Sequence, residues 1–339
     1  MLPDYIERMQ KYNVTTLRVL RPSKADLRVC VINIYASDRL PRFILNILLI
    51  ITLNRIIKIR ITVMNEKQLP LTKALGFTRE PFDKNLPVKH LFISQQIKQL
   101  FNQLKLLLQR RGIALITGEI GAGKSTAIRA FTEKLEKNQY DVAYIADPTI
   151  GIRGILNSIA IQLRLDGGYF KWQLLEQLKQ TIEKNAYDFN KTTLLIIDEV
   201  QHILPKELEQ IRLFTNFKID SQTPLNLILL GQPDVNKTIR LHSMKALSQR
   251  TTFRYHIAGL DKNEAKPYIT HHLSVAGRTD TLFSDDVIEE IFQQAKGIPR
   301  VINNLCYASL IDIYQNNKNI VDMPTIEKIL LQWDGFKII

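Results

Sequence analysis

Residues 118–125 read GEIGAGKS and follow the apolar residues Ile113, Ala114, Leu115 and Ile116 after a single threonine, Thr117. They satisfy the pattern G-x-x-x-x-G-K-[ST] at every required position. A loop of this kind cradles phosphate. Gly118, Gly121 and Gly123 let the backbone approach an anion and turn its N–H groups towards it, with Glu119, Ile120 and Ala122 completing the cradle. The helix that follows adds its positive N-terminal end. Lys124 is expected to neutralise β- and γ-phosphate oxygens, Ser125 to ligate Mg²⁺, and Thr126 to reach the α-phosphate side. The predicted ligands are ATP and Mg²⁺.

A second group of chemically capable residues closes the run LLIIDE at 194–199. A buried strand ending in two carboxylates is costly unless those charges serve a purpose. Asp198 is expected to hold Mg²⁺ through water, and Glu199 to polarise the water that attacks the γ-phosphate. Together the two stretches predict an ATP-hydrolysing module.

The elements that must position these residues follow from hydrophobic periodicity. An amphipathic helix is expected at 91–109, then a strand at 113–117, the loop, and a helix from 124. Further strands are expected at 142–147, 193–198 and 225–230, with helices at 151–165, 172–187 and 205–218 between them. Apolar strands alternating with helices indicate a parallel sheet covered on both faces. From Gly259 the pattern becomes helical, at 262–276, 285–296, 300–314 and 325–332. Ser284, Asp285 and Asp286 suit a capped, acidic helix start, whereas Pro267 should kink its helix or shift its start.

The chain has 339 residues, 45% hydrophobic and 23% charged, as in an ordinary globular protein with ample core. Cys30 and Cys306 have neither pairing nor metal-ligand spacing and read as free thiols in a reducing cytoplasm. His271 and His272 have no further ligand at metal spacing, His202 reads as a loop histidine near the site, and Trp172, Phe77 and Phe82 as core or joint packing. One of Phe77 and Phe82 is a candidate for contact with the base. The net charge is +13, but residues 1–63 hold 11 Lys and Arg against 4 Asp and Glu, so the remainder is only mildly basic. The charge favours a polyanionic partner weakly. No helix-turn-helix, zinc cluster or RNA-binding signature accompanies it, so contacts with duplex DNA would be sequence-independent, with Arg153, Lys184 and Lys191 as unranked candidates.

Residues 1–63 read either as a small appended element or as translated upstream sequence ahead of a start at Met64. Their longest uncharged apolar run, 43–53, would reach about 16 Å as a helix against a hydrocarbon core of about 30 Å. Stable membrane insertion is not expected. The domains expected after it are a lead-in with its helix over 64–110, a nucleotide-binding α/β domain over 111–258, and a helical lid over 259–335.

Six strings in order, GFTREPF (76–82), GEIGAGKST, LLIIDEVQHI, LILLGQPD (227–234), LSQRTTFRYHIAGL (247–260) and KGIPRVINNLC (296–306), resemble the AAA+ ATPases of the general secretion pathway ATPase A (ExeA) type. Transposon-borne relatives are close, and TniB/TnsC-type transposition ATPases and replication initiators more distant. The resemblance covers about residues 70–332. It implies a P-loop NTPase fold: an AAA+ core of parallel sheet flanked by helices, then a small all-helical lid. It also implies that Gln232 is the sensor of the γ-phosphate or attacking water, and Arg300 a second sensor carried on the lid. Arg250 becomes the arginine finger offered to a neighbouring subunit, with Arg240 as the alternative. Hydrolysis should then depend on an ATP-driven homo-oligomer.

Three roles follow from the resemblance. A cytoplasmic transposition-accessory ATPase would assemble on DNA and recruit a transposase. A secretion-assembly ATPase would work at the inner membrane. A nucleotide switch would turn over little ATP, which an intact Glu199 argues against. Secretion members carry a transmembrane helix and a periplasmic region after the ATPase, whereas this sequence ends LLQWDGFKII. The first role is therefore the expectation.

Overall fold

The structure is a computed structural model describing residues 71–167, 170–217 and 224–332. The apolar run 43–53, Cys30, Met64 and the remainder of the N-terminal extension lie outside the described residues. Five parallel strands, β1 (Ile113–Gly118), β2 (Tyr140–Ile145), β3 (Thr192–Ile197), β4 (Leu225–Gly231) and β5 (Thr251–Ile257), form one sheet in the order β2-β3-β4-β1-β5.

β1, β3 and β4 are buried along their whole length, which explains their predominantly apolar sequence. One face of the sheet, including Leu115, Leu195 and Leu229, packs on α3 (Gly151–Gln162), α4 (Lys171–Asp188) and α5 (Pro205–Phe214). The opposite face, including Ile116, Ile196 and Leu230, packs on α1 (Gln95–Arg110) and α2 (Lys124–Thr132). Burying one Leu or Ile this completely contributes about 2 kcal/mol.

The sheet contains a strand that hydrophobic reading passes over. β5 pairs with β1 at one edge, and its sequence TTFRYHI alternates half-buried with exposed residues up to the buried Ile257. An edge strand packs one face only, so Arg254 and His256 are tolerated within it. Two short helices, α6 (Val235–Ile239) and α7 (Lys245–Arg250), also join β4 to β5.

The first expected helix starts later than its periodicity implies. Ser94 is the N-cap of α1 and accepts a hydrogen bond from the Ile97 N–H, leaving 91–94 outside the helix. β2 begins two residues early, at Tyr140, and α5 ends at Phe214.

After Gly259 come α8 (Lys262–Val275), α9 (Asp285–Ala295), α10 (Pro299–Gln315) and α11 (Met323–Gln332), which share a hydrophobic core with Phe77 and Phe82. α8 starts where expected and runs through Pro267 without a break. Pro267 sits near the helix start, where its missing N–H removes a single bond and the Asp261–Glu264 capping box secures the first turn. Ser284 occupies the N-cap of α9 but makes no side-chain cap bond. The acidic first turn is there, and Asp285 pairs with Lys266 of α8 at 2.7 Å. Trp172 departs from expectation: it is 67% exposed at the start of α4 and packs in no core.

Candidate functional site

Parallel strands bring their C-terminal ends to one edge, and the register aligns three of them. Thr117 of β1 pairs with Gly231 of β4, and Ile197 of β3 pairs with Leu229. The loop after β1, Asp198 and Glu199 after β3, and Gln232 after β4 therefore emerge side by side. A crevice at the carboxyl ends of parallel strands is where open α/β sheets bind ligands. Here a cavity of about 530 Å³ is lined by 120–126, Glu199, Arg300 and the apolar residues Leu91 and Ile97.

The three loop glycines have different tasks. Gly121 and Gly123 hold φ of +85° and +97°, which L side chains rarely adopt. Gly118 lies in extended backbone; a Cβ there would stand 2.7 Å from the Ile257 carbonyl of β5, so it serves strand packing and not the turn. A Cβ on Gly121 would stand 2.6 Å from Cβ of Arg300, so α10 meets the loop only because residue 121 lacks a side chain. The Arg300 N–H also donates to the Gly121 carbonyl at 3.3 Å.

Lys124 folds back over the loop, its Nζ donating to the carbonyls of Gly118 at 2.7 Å and Glu119 at 3.0 Å. Burial lowers its pKa, opposed by the nearby charges of Glu199, Asp198 and Glu119, while Arg300 adds to the lowering. Both cations thus address the same cavity. Ser125 and Thr126 open the first turn of α2 with their side chains exposed, as do Glu119 and Ile120 in the loop.

Asp198 is 3% exposed. Its Oδ2 accepts from Ser125 Oγ at 2.7 Å, and its Oδ1 from the Glu199 N–H at 2.8 Å. Two adjacent oxygen ligands of this kind, one anionic, fit Mg²⁺. Glu199 has a φ of +52°, a left-handed conformation that a non-glycine residue holds only when its surroundings enforce it.

Two residues that motif reading misses complete the arrangement. Gln201 donates from Nε2 to Glu199 Oε2 and accepts at Oε1 from the Gln232 N–H at 3.1 Å, tying the acid after β3 to the end of β4. Tyr144 of β2 donates from its hydroxyl to Asp198 Oδ2 at 2.7 Å. Neither lies in a phosphate motif; the only signals were a polar residue two positions past Glu199 and a tyrosine near a strand end.

The remaining expected residues are more scattered. Arg250 precedes Thr251, which pairs with Ile113 at the start of β1. It therefore lies about 16 Å along the strand from its own loop, at about 3.3 Å per residue, and donates to Asn216. Arg240 is exposed after α6, and His202 is exposed in the turn after Glu199. Phe82 lines the cavity and stacks on His272 with ring centroids 5.3 Å apart. His272 is buried, and His271 Nε2 lies 2.8 Å from the His90 carbonyl. Arg153 and Lys191 flank opposite ends of the sheet, with Lys191 ion-paired to Asp141 at 2.6 Å, and Lys184 lies 5.9 Å from the Phe189 ring. Cys306 is wholly buried, which pushes its thiol pKa up.

Solved structures with a similar fold include Cdc6p from Pyrobaculum aerophilum, with a TM-score of 0.57 and 17% identity over 74% of this chain and 70% of that one. The Aeropyrum pernix ORC1 protein in complex with DNA has a TM-score of 0.55 and 14% identity over 72% of this chain and 66% of that one. The fold is that of the AAA+ P-loop ATPases. The AAA domain family matches residues 106–239. General secretion pathway protein A of Aeromonas hydrophila is 32% identical over 243 residues, which is 71% of this chain. The chain spans 44% of that relative's length. Among the described residues, no helix is long and apolar enough to cross a membrane.

Proposed function

We propose that this AAA+ chain binds ATP with Mg²⁺ between the 118–125 loop and α10, and hydrolyses it. The observation that carries this reading is the Ser125–Asp198 hydrogen bond at 2.7 Å, with Glu199 on the cavity wall beside it. Loop N–H groups and the start of α2 bind the phosphates, while Lys124 turns from the Gly118 and Glu119 carbonyls onto them. Ser125 and Asp198 hold Mg²⁺, which when bound neutralises charge on the phosphate oxygens. Glu199 accepts the proton of the attacking water, and Gln201 fixes its orientation relative to Gln232. Arg300 brings the lid's charge to the same phosphates. Arg250, remote from its own loop, acts in a neighbouring copy, so assembly and turnover are coupled.

For the cellular role, the 32% identity to a general secretion pathway protein A favours secretion assembly over transposition. The transposition reading, with duplex DNA and a transposase as partners, rests on the motif resemblance and the mildly basic charge, and placement in the cytoplasm on the resemblance and the cysteine spacing. The deciding experiment follows ATPase rate and sedimentation of the full chain, with and without non-specific duplex DNA, over a salt series. Assembly with MgATP that ignores DNA even at low salt supports the secretion role. DNA-stimulated turnover that fades with salt restores the transposition role. A chain that fails to bind MgATP overturns the nucleotide reading itself.

A further inference from the structure

The Asp198 carboxylate receives one donor beyond those a nucleotide-bound cation needs. Its Oδ2 accepts from both Ser125 Oγ and the Tyr144 hydroxyl, each at 2.7 Å, and its Oδ1 accepts the Glu199 N–H. A carboxylate oxygen has two lone-pair sites, so Oδ2 is saturated. The two donors on it differ in what happens when a cation arrives. Ser125 can keep donating to Asp198 while its free lone pair turns to the ion. Tyr144 comes from the neighbouring strand, where it pairs with Ile196 two residues before Asp198, and its proton fills the second lone-pair site of Oδ2. A water on the cation that is to donate to Oδ2 must displace that proton.

Displacement is physically open to this side chain. Tyr144 is 38% exposed on the edge strand β2, whereas Asp198 is 3% exposed and fixed by its three hydrogen bonds. We propose that Tyr144 is a positioning residue that competes with the hydration shell of the bound divalent cation for Asp198, and thereby sets the Mg²⁺ concentration at which the nucleotide complex forms. This rests on the nucleotide reading above.

The test titrates Mg²⁺ into the unaltered chain and into its Tyr144→Phe variant, each mixed with a fluorescent ATP analogue, and repeats the binding in EDTA. The ring is retained in the variant, and a Tyr144→Leu variant checks that the hydroxyl and not the ring carries the effect. The expected result is a half-saturating Mg²⁺ concentration lowered by about three- to tenfold, the scale of one net hydrogen bond. Affinity in EDTA should be unchanged. A half-saturation that stays put or rises overturns the competition, as does an equal change with and without Mg²⁺, which would mark a merely structural residue. If the unaltered protein shows no Mg²⁺-dependent nucleotide binding, the nucleotide reading fails first, and the two failures are distinguishable.

Discussion

The backbone N–H of Arg300, at the second position of α10, donates to the carbonyl of Gly121 in the phosphate loop at 3.3 Å. The lid and the nucleotide loop are therefore joined main chain to main chain, at a point where residue 121 must lack a Cβ. Movement of one is felt directly by the other.

Gly121→Ala combines a left-handed backbone, costing about 1 kcal/mol for an L residue, with a Cβ 2.6 Å from that of Arg300. α10 must shift away, taking Arg300 from the phosphates. Calorimetry should show ATP affinity at least about tenfold weaker. Gly123→Ala meets no atom within 4 Å and bears the backbone cost alone, so it should be the milder variant.

Gln201 links Glu199 to Gln232, and removing it leaves the water-polarising carboxylate without a fixed orientation. Gln201→Ala is expected to lower kcat about 10- to 100-fold, the scale of small misplacements in an active site. ATP affinity should stay within about twofold. Glu199→Gln, which removes the base itself, should lose more turnover and accumulate an ATP-bound assembly visible by sedimentation.

Arg250→Ala should abolish turnover while sparing ATP binding, with a loss of about 10³-fold or more where a finger acts in a neighbouring site. Mixing Arg250→Ala with Glu199→Gln protein separates action within a chain from action between chains. Partial recovery of turnover in the mixture is expected, because each variant retains what the other lacks. If Arg240→Ala shows the loss instead, the finger lies after α6.

His272 is 6% exposed at the joint of the lid core, and burial, with His271 adding to it, lowers its pKa from 6.5 to about 4. Between these values the unfolded chain binds a proton that the folded chain refuses, so stability is full above about pH 6.5 and falls towards pH 4. At pH 5 this one group should cost about 2 kcal/mol relative to pH 7. Chemical denaturation at the two pH values measures it, and His272→Phe should flatten the difference.

The phosphate loop and the carboxylate pair were legible because each is contiguous, and local backbone demands dictate its residue types. A left-handed turn at Gly121 and Gly123 and an apolar strand ending in Asp198 and Glu199 leave a signature in a few adjacent positions. The central strands were legible for a related reason: β1, β3 and β4 are buried on both faces, so most of their residues are apolar, with Asn226 and a few threonines as the exceptions. β5 hid because an edge strand needs apolar residues at alternate positions only, and Trp172 misled because composition does not say which side of a helix faces out.

What the tertiary structure decided are relations between distant segments. Tyr144 reaches Asp198 because β2 and β3 pair in a register that places Tyr144 beside Ile196. Gln201 reaches the Gln232 N–H because β3 and β4 are neighbours in the sheet though not in the sequence. Gly118 is small for β5 and Gly121 for α10, neither of which adjoins it along the chain. The sequence by itself determined which groups could do chemistry, since that depends on residue type and local spacing. Which of them share a carboxylate, a carbonyl or a cavity was left to strand register and helix docking, which no short stretch encodes.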